Sequence, residues 1–308
     1  MIKVENLTVQ FGNFTAIDQI SFTVDKTMGI IGLLGPNGAG KTTTMRVLTG
    51  YLTPTSGYVE IDNIPLNGDE KQKLTIKRKI GYLPESNPLY PEMLVDEYLD
   101  FMGKSRALSD DTLKKRKDIL VETLRLSSHL YTPLGLLSKG FRQRTALAAT
   151  LIHDPEIIIL DEPTTGLDPN QIITIREFIK SLSKEKLVIL STHILKEVQD
   201  VCNQVIIIHK GKIVANRRIE ELQKSNLRVI IAKSQRDNIE NTLKNLDLIL
   251  NVRVQEIPNS EFKKYICELK EDRPEKLFYE IKKFDWDVIE FSPLEKSIEE
   301  IFQELTQN

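Results

Sequence analysis

The sequence predicts an α/β protein built on a parallel sheet, followed by a smaller unit of strands and helices. In roughly the first two thirds of the 308 residues, short apolar strands alternate with helical segments, which is typical of a parallel sheet covered on both faces. A glycine-rich turn lies between one such strand and a helix. Beyond residue 225 the order becomes βαββαβ plus a final helix, the ferredoxin-like pattern. We therefore expect two domains, residues 1–224 and 225–308, in keeping with about 150 residues per domain.

The elements of the first domain follow from apolar spacing and turn residues. Residues 1–30 alternate like short strands, with a hairpin tip at Phe11–Phe14, and residues 58–83 again look largely like strands. Residues 94–130 are predicted to be helical, because Leu94, Tyr98, Phe101 and Met102 have helical spacing. The remaining elements are strand Gly29–Leu34, helix Lys41–Gly50, helix Arg142–Ile152, strand Glu156–Leu160, helix Pro169–Ser183, strand Leu187–Leu190, helix Leu195–Val201 and strand Gln204–His209.

The second domain follows the charged and polar stretch Asn216–Asn226. Its predicted elements are strand Leu227–Ala232, helix Gln235–Leu246, strands Leu248–Gln255 and Phe262–Leu269, helix Pro274–Phe284, strand Asp287–Phe291 and helix Leu294–Leu305. The final helix either closes its own domain or makes a dimer or regulatory contact.

The composition is that of an ordinary globular protein. Charged residues make up 28% and hydrophobic residues 40%, which argues against general disorder. The balance of 42 basic and 44 acidic residues, −2 overall, excludes a strong overall basic field, so we expect no nucleic-acid partner. Cys202 and Cys267 stand far apart without CxxC spacing, which favours two idle thiols in a reducing compartment over a disulfide or metal pair.

The sequence carries no pattern for membrane insertion or secretion. The longest apolar runs, such as Ile157–Leu160 and Val205–Ile208, are strand-sized, far short of the roughly 20 residues that a membrane span needs. No apolar stretch follows Lys3, so we expect no signal peptide. We therefore expect a cytoplasmic protein that reaches the inner face of the cell membrane only through a partner.

The glycine-rich turn fits the phosphate-loop pattern GxxxxGK[ST]. Glycines let successive backbone N–H groups wrap around phosphate oxygens, and the following helix adds its positive end. Lys41 can reach the β- and γ-phosphates of a nucleotide, and the Thr42 hydroxyl can bind Mg²⁺. The alternative is a chance glycine turn, but the string follows an apolar strand and opens a helix, as the mechanism requires. We expect nucleotide contacts from Gly35, Pro36, Asn37, Gly38, Ala39, Gly40, Lys41, Thr42 and Thr43.

A pair of carboxylates, Asp161 and Glu162, ends the apolar strand that lies about 120 residues after Lys41. A carboxylate at the end of a strand beside a phosphate loop can hold Mg²⁺ through water, and Asp161 fits that role. Glu162 would then face the γ-phosphate and polarise the attacking water. Without the phosphate loop, two solvated acids at a strand end would be the simpler interpretation.

At these residues the chain resembles the ATP-binding subunits of ABC transporters. The resemblance spans about residues 1–220, with motifs in the family's order. Leu137–Phe141 resembles the signature loop (usually LSGGQ), Asp161–Asp168 the Walker B motif and D-loop, and Ser191–His193 the segment with the switch histidine. The resemblance implies a RecA-like core, an antiparallel β part, and a helical part between the phosphate loop and the signature loop. It also implies that ATP and Mg²⁺ are bound and that ATP is hydrolysed.

The resemblance further implies that two copies pair head to tail and bury two ATP molecules. Ser138 and Gly140 of one copy would then complete the site that holds Lys41 of the other. Asp168 would make contact across the dimer. From the residues alone, an N-cap of the following helix is the simpler role for Ser138, and it is an alternative role for Asp168.

Two further nucleotide contacts are implied by the resemblance. His193 would hydrogen-bond the γ-phosphate and hold the geometry of the water, whereas by itself it would read as a structural histidine. Phe11 fits the position of the aromatic ring that stacks on adenine. A hairpin-tip or core aromatic is the alternative role for Phe11, and Phe14 is the rival candidate for the stacking ring.

Two positions depart from the family pattern. Glu85, after Gly81–Pro84, stands where the Q-loop usually has glutamine. A carboxylate keeps the ability to ligate Mg²⁺, adds negative charge and loses the amide donor, so we expect Glu85 in the metal and catalytic site, with an altered metal dependence. Lys139 and Phe141 replace a glycine and the glutamine of the usual signature. Lys139 either adds charge near phosphate or is simply solvated.

The branch of the family is indicated by longer segments. Gly81–Leu99 resembles exporter subunits of the branch that includes drug-resistance and gliding-motility ATP-binding proteins. Leu137–Gly140 and Asp168–Ile172 are similar to the gliding-motility group, and the tail after Ser225, ending Leu294–Phe302, resembles the small C-terminal domain of this branch. We therefore expect a subunit that powers a separate transmembrane permease, most simply an exporter, which it contacts around Glu85–Leu99.

Two other functions were weighed against this one. ABC ATPases that act on ribosomes or in DNA repair usually carry two nucleotide domains, a long coiled coil or a zinc insertion, whereas this sequence has one phosphate loop and no such insertion. A regulatory module that binds nucleotide without turnover is disfavoured, because Glu162 and His193 are both present.

Overall fold

The computed structural model describes residues 1–223, 226–294 and 297–306, and it divides the chain into two compact units. The first comprises Met1–Ile219 with Leu305 and Thr306, and the second comprises Glu220–Glu304. Each has a hydrophobic core of its own. The domain boundary expected between residues 224 and 225 lies outside the described residues. In the described ranges, none of the helices combines the length and apolar character that a bilayer crossing requires.

The described part of the first unit contains two β-sheets. Its strands are β1 (Ile2–Phe11), β2 (Phe14–Val24), β3 (Ile30–Leu34), β4 (Ser56–Ile61), β5 (Ile64–Pro65), β6 (Ile80–Leu83), β7 (Ile157–Asp161), β8 (Leu187–Thr192), β9 (Gln204–His209) and β10 (Lys212–Arg218). The larger sheet has the order β10-β9-β3-β8-β7-β6, with β10 antiparallel to the other five strands. The smaller has the antiparallel order β2-β1-β4-β5. Both the parallel sheet and the antiparallel part are confirmed, as is the hairpin tip at Phe11–Phe14.

The helices of the first unit cover the larger sheet and build the predicted helical part. They are α1 (Lys41–Leu48), α2 (Glu70–Lys79), α3 (Val95–Ser105), α4 (Asp110–Thr123), α5 (Lys139–Leu151), α6 (Pro169–Leu182) and α7 (Leu195–Val201). Helices α3 and α4 lie within the range predicted to be helical, so this prediction is confirmed.

The register of three buried strands sets the position of the candidate site. Strands β3, β7 and β8 are buried along their whole length, which is why they read as continuous apolar runs. Leu34 at the end of β3 pairs with Thr192 of β8, and Asp161 at the end of β7 pairs with Ser191 of β8. The carboxyl ends of these parallel strands therefore meet at one edge of the sheet.

Helix α2 corrects the prediction that residues 58–83 are largely strands. Asp69 caps the helix by accepting a hydrogen bond from the Gln72 N–H at 2.8 Å, and the Gln72 side chain accepts from the Asp69 N–H at 3.0 Å. Acidic Glu70 lies in the first turn and basic residues 77–79 in the last, which suits the helix dipole. Ile76 is its one buried residue in the described structure, so the apolar periodicity that reveals a helix is missing.

The second unit forms an antiparallel sheet with helices between its strands. After α8 (Ile219–Gln223), its elements are β11 (Leu227–Lys233), α9 (Ile239–Lys244), β12 (Ile249–Glu256), β13 (Lys263–Leu269), α10 (Pro274–Ile281), β14 (Asp287–Pro293) and α11 (Ile298–Thr306). The strand order is β12-β13-β11-β14. This is the order in which a βαββαβ chain of the ferredoxin-like kind arranges its strands.

Helix α9 is shorter than predicted at its start. The Ser234 hydroxyl accepts a hydrogen bond from the Asp237 N–H at 3.0 Å, which makes a turn. Asn238 then caps the helix by accepting from the Asn241 N–H at 3.1 Å. The helix therefore begins at Ile239 rather than at Gln235.

Helix α11 also begins later than predicted. The Leu294 N–H donates to the Leu227 carbonyl at 3.1 Å, so Leu294 continues the sheet rather than opening a helix. The Ser297 hydroxyl accepts from the Glu300 N–H at 3.2 Å, and the Glu300 carboxylate accepts from the Ser297 N–H at 3.0 Å. This capping box starts the helix at Ile298. Residues 295–296 of the predicted helix lie outside the described residues.

One partly buried histidine makes the stability of the first unit depend on pH. The His153 Nε2–H donates to the Ile80 carbonyl at 3.1 Å. Burial, reinforced by the nearby Arg106 guanidinium, lowers the pKa of His153 to about 4. The unfolded histidine takes up its proton near pH 6.5, whereas the folded one stays neutral until about pH 4. Stability is therefore complete above pH 6.5 and is lost as the pH falls from 6.5 towards 4.

We predict that His153→Gln removes part of the acid sensitivity of the fold. Between pH 7 and pH 5, the free energy of unfolding of the parent should fall by about 1 kcal/mol more than that of the variant. The measurement is the urea midpoint and slope of both chains at each pH. Other titrating groups are common to both chains and cancel in the comparison. Equal losses of stability would contradict the prediction.

Candidate functional site

The phosphate loop packs tightly against neighbouring backbone where it joins β3 to α1. Gly40 has φ of 110°, and a Cβ there would lie 2.7 Å from the Ala16 carbonyl oxygen. A Cβ on Gly35 would lie 2.3 Å from the Ile208 carbonyl oxygen. These two glycines are therefore required by the close approach of other segments, which holds the loop in place before α1.

Lys41, at the start of α1, is buried against the loop that precedes it. Its Nζ donates to the carbonyls of Gly35 at 2.8 Å and Pro36 at 3.2 Å, and lies 3.8 Å from Glu162 Oε1. Burial lowers the pKa of Lys41, while the carboxylates around it act in the opposite direction, Glu162 most strongly. The ammonium thus lies beside both the loop backbone and the carboxylate pair.

Asp161 lies at the end of β7 with its carboxylate fully buried. The Thr42 hydroxyl donates to Asp161 Oδ1 at 3.3 Å, and the Ser191 hydroxyl donates to the same oxygen. Among the described residues, Asp161 Oδ2 has no hydrogen-bond partner. A buried carboxylate oxygen without a partner, next to a hydroxyl oxygen, is an oxygen donor set of the kind that Mg²⁺ prefers.

Glu162 is held by contacts to both its backbone and its side chain. Its φ is 51°, in the left-handed region, and its N–H donates to Ser191 Oγ at 3.1 Å. Its Oε2 accepts from the Thr165 hydroxyl at 3.1 Å and pairs with His193 Nδ1 at 2.9 Å. Because a carboxylate only accepts, the proton of this last bond sits on Nδ1. The geometry therefore joins His193 to Glu162 directly.

Lys41, Glu162 and His193 line a cleft of about 460 Å³, whereas Asp161 lies behind them and does not line it in the described structure. The cleft brings together predicted residues from several segments: Phe11, Asn37, Gly38, Gly40, Lys41, Thr42, Thr43, Glu85, Glu162 and His193. Phe14 lines it as well, and the two aromatic residues are 51% and 61% exposed, so both present a ring to the cleft.

Ser138, Gly140 and Asp168 do not line this cleft in the described structure. Ser138 accepts a hydrogen bond from the Phe141 N–H at 3.4 Å and caps α5. Asp168 caps α6 by accepting from the N–H of Gln171 at 3.0 Å. The Gln171 amide packs on Gly140, where a Cβ would lie 2.4 Å away. These residues thus form a separate cluster at the starts of α5 and α6.

Sequence reasoning did not find the residues that hold the carboxylates of Asp161 and Glu162. Ser191 contacts both Asp161 and the Glu162 N–H, and Thr165 binds the Glu162 carboxylate. Both belong to segments recognised above, but neither was given a role. The pattern that could have identified Ser191 is a small hydroxyl residue at the end of an apolar strand, beside the strand that ends in Asp161.

Gln143 of α5 was also missed. It is 8% exposed, and its amide contacts Asn87 and the Pro163 carbonyl. A glutamine within a helix that is otherwise mostly buried was the feature that could have revealed it.

Comparison with known proteins gives a consistent result. The family described as ABC transporter matches residues 17–165, which include the phosphate loop and the Asp161–Glu162 pair. An ABC transporter ATP-binding protein of Methanocaldococcus jannaschii is 41% identical over 222 residues, 72% of this chain and 79% of the relative. The bacitracin transport ATP-binding protein BcrA of Bacillus licheniformis is 37% identical, over 73% of this chain and 72% of its own.

Further similarities concern an export protein and a solved structure. The Nod factor export ATP-binding protein I of Ralstonia nicotianae is 35% identical, over 72% of this chain and 68% of its own. A dimeric, post-hydrolysis structure of the ATP-binding cassette MJ0796 bound to ADP and Pi matches with a TM-score of 0.65 and 26% identity. That match covers 71% of this chain and 99% of the cassette.

Proposed function

We propose that this chain, which belongs to the family of ABC transporter ATP-binding proteins, hydrolyses ATP with Mg²⁺ to power a separate membrane permease in export. The chain is an ATP-binding subunit of that family, whose members are in general ATPases. The observation that carries the rest is the cleft in which Lys41, Glu162 and His193 meet. The name of the Nod factor export relative supports export, and that of the bacitracin transport relative supports transport.

Residues of a single chain supply several of the positioning steps of hydrolysis. Backbone N–H groups of residues 37–42 and the Lys41 ammonium bind the phosphates at the start of α1. Glu162 orients the attacking water and accepts its proton. Its carboxylate lies 3.8 Å from the Lys41 ammonium, which binds the phosphates, so it stands beside the group that the water attacks. His193 and Thr165 hold that carboxylate through hydrogen bonds. Phe11 or Phe14 stacks on the adenine.

The residues present fit a Mg²⁺ ion beside the phosphates. Thr42 and Asp161 would hold it, with Glu85 as a further oxygen ligand. When bound, the ion neutralises charge on the β- and γ-phosphates. A further positive charge is needed here, because the single ammonium of Lys41 lies near three carboxylates, those of Glu85, Asp161 and Glu162. In the described ranges no cluster of three or more His, Cys, Asp or Glu offers a complete metal cage, so phosphate oxygens and water would complete the shell.

A second copy of the chain, placed head to tail, would complete the site. Ser138 and Gly140 lie at the N-terminus of α5, where backbone N–H groups and a hydroxyl suit a phosphate. Within one chain these residues lie apart from the cleft. The dimeric structure of the related cassette supports the pairing. Asp168, in the neighbouring cap, would contact the partner copy.

A groove in the first unit offers a docking surface for the permease. It has a volume of about 560 Å³ and is rich in aromatic side chains: Tyr51, Tyr82, Tyr90, Tyr98 and Phe101. We call it the aromatic groove. Tyr90 and Phe101 meet edge to face at 5.7 Å, and both are about half exposed. Exposed aromatic residues are typical of protein interfaces. Docking here would hold the subunit at the cytoplasmic face of the membrane.

We predict that Glu162→Gln lowers kcat for ATP hydrolysis at least about 100-fold, because the proton acceptor is lost. The amide has nearly the same size, so ATP binding should remain. The stalled variant should sediment as a dimer with ATP and as a monomer without it.

The matched control is Glu185→Gln, an exposed glutamate outside the cleft. It should leave both hydrolysis and sedimentation unchanged. Parent-like hydrolysis by Glu162→Gln would refute the role of Glu162.

We predict that Glu85→Gln raises the Mg²⁺ concentration for half-maximal hydrolysis about threefold, since one negative charge near the ion is removed. The measurement is the initial rate at fixed ATP over a Mg²⁺ titration. Glu92→Gln, at an exposed glutamate outside the cleft, is the control. Superimposable titrations of Glu85→Gln and the parent would remove Glu85 from the metal site.

We predict that a tagged Glu162→Gln chain, purified from detergent-solubilised membranes with ATP and Mg²⁺, brings along a polytopic membrane protein. Replacing Tyr90 and Phe101 together by alanine should abolish this capture, because the aromatic groove loses its exposed rings. Tyr131→Ala, at an exposed tyrosine outside the groove, should not. Recovery of a dimer alone, or of ribosomal components, would favour a function away from membranes.

A further inference from the structure

One buried amide links the aromatic groove to the catalytic glutamate. Gln143 lies in the second turn of α5 and is 8% exposed. Its Oε1 accepts from Asn87 Nδ2 at 2.6 Å, and its Nε2 donates to the Pro163 carbonyl at 2.8 Å. The two ends of one side-chain amide are therefore bound to two different segments.

On one side, Gln143 is bound to Asn87. This residue lies in the segment between β6 and α3 and lines the aromatic groove. The Asn87 side chain donates its Nδ2–H to Gln143. Its Oδ1 is buried and has no hydrogen-bond partner in the described ranges. Displacement of this segment by a protein in the groove would therefore act directly on the Gln143 amide.

The catalytic end of the link is the peptide that follows Glu162. Proline has no N–H, so the carbonyl is the single backbone hydrogen-bonding group of Pro163. Gln143 binds that carbonyl, while Ser191 binds the N–H of Glu162. Glu162 is thus held from both sides in its left-handed conformation, which ordinary residues adopt only when their surroundings impose it.

We propose that Gln143 is a positioning residue that passes a displacement of Asn87 to Glu162. Loss of the Asn87 bond frees the Gln143 amide to rotate, and rotation releases the Pro163 carbonyl. The direction of the Glu162 carboxylate then changes without any change at the phosphate loop. This inference rests on the proposed function, and it specifies how occupancy of the aromatic groove would regulate hydrolysis.

The test is a double-mutant cycle on the full chain with Asn87→Ala, Gln143→Leu and the combination. Each single variant should lower kcat about tenfold with KM for ATP within about twofold, because positioning rather than binding is lost. The combined variant should be no slower than the slower single one, since both changes cut the same link. The control is Asn241→Ala, at an exposed asparagine outside the cleft and the aromatic groove, which should leave kcat unchanged. Multiplicative losses would overturn the proposal.

Gln143→Glu separates the two ends of the amide while keeping its size. An ionised carboxylate still accepts from Asn87 but cannot donate to the Pro163 carbonyl. A carboxyl buried at this position has a raised pKa and regains a donor when protonated. The ratio of variant to parent kcat should therefore rise as the pH is lowered from 8 to 6. A flat ratio would assign Gln143 a merely structural role.

Hydrogen exchange without nucleotide tests the link independently of hydrolysis. The N–H groups of Thr165 and Leu167 donate to the carbonyls of Glu162 and Thr164, each at 3.2 Å. Both should exchange at least about threefold faster in Asn87→Ala and Gln143→Leu than in the parent, because the turn is released. Unchanged exchange would refute the link even if ATP hydrolysis is found. Absence of hydrolysis in the parent would refute the proposed function and leave the exchange result to decide on the link.

Discussion

The candidate site depends on one constraint, namely that three buried parallel strands end together at the same edge of the sheet. The pairing of Leu34 with Thr192 and of Asp161 with Ser191 fixes where the phosphate loop and the carboxylates stand relative to each other. These strands have no exposed residue, so burial of apolar side chains on both faces of the sheet holds them in the interior of the unit. The relative positions of the phosphate loop and the carboxylates are therefore set by the burial of apolar strands.

Helix α5 is the second element that organises the first unit, because its residues contact several separate parts of that unit. Ser138 caps its start, and Gln143 reaches both the aromatic groove and the turn after Glu162. Near its end, Thr150 donates to the Tyr82 carbonyl at 3.4 Å, and His153 beyond it binds the first residue of β6. One rigid helix thus ties the signature-like loop, the groove and the sheet edge together.

Much of the fold and site could be predicted because the relevant patterns are local. The phosphate loop and the Asp161–Glu162 pair each occupy a few consecutive residues, and membership of the ABC family is confirmed. Helix α2 was missed because polar capping and charge, rather than apolar spacing, define it. The partners of Gln143 could not be predicted, because its bonds join residues 56 and 20 positions apart, and no local pattern reports such contacts.

The left-handed backbone of Glu162 limits what the position can hold. Glycine takes this conformation freely, and asparagine and aspartate take it with little strain, whereas other residues lose about 1–2 kcal/mol. Yet glycine has no carboxylate, and aspartate is one methylene shorter than the reach to Thr165 and His193 requires. Glutamate therefore places a carboxylate within reach of Thr165 and His193, but its backbone is strained in this conformation. We expect that a library randomised at this codon would yield variants more stable than the parent and almost none that are active.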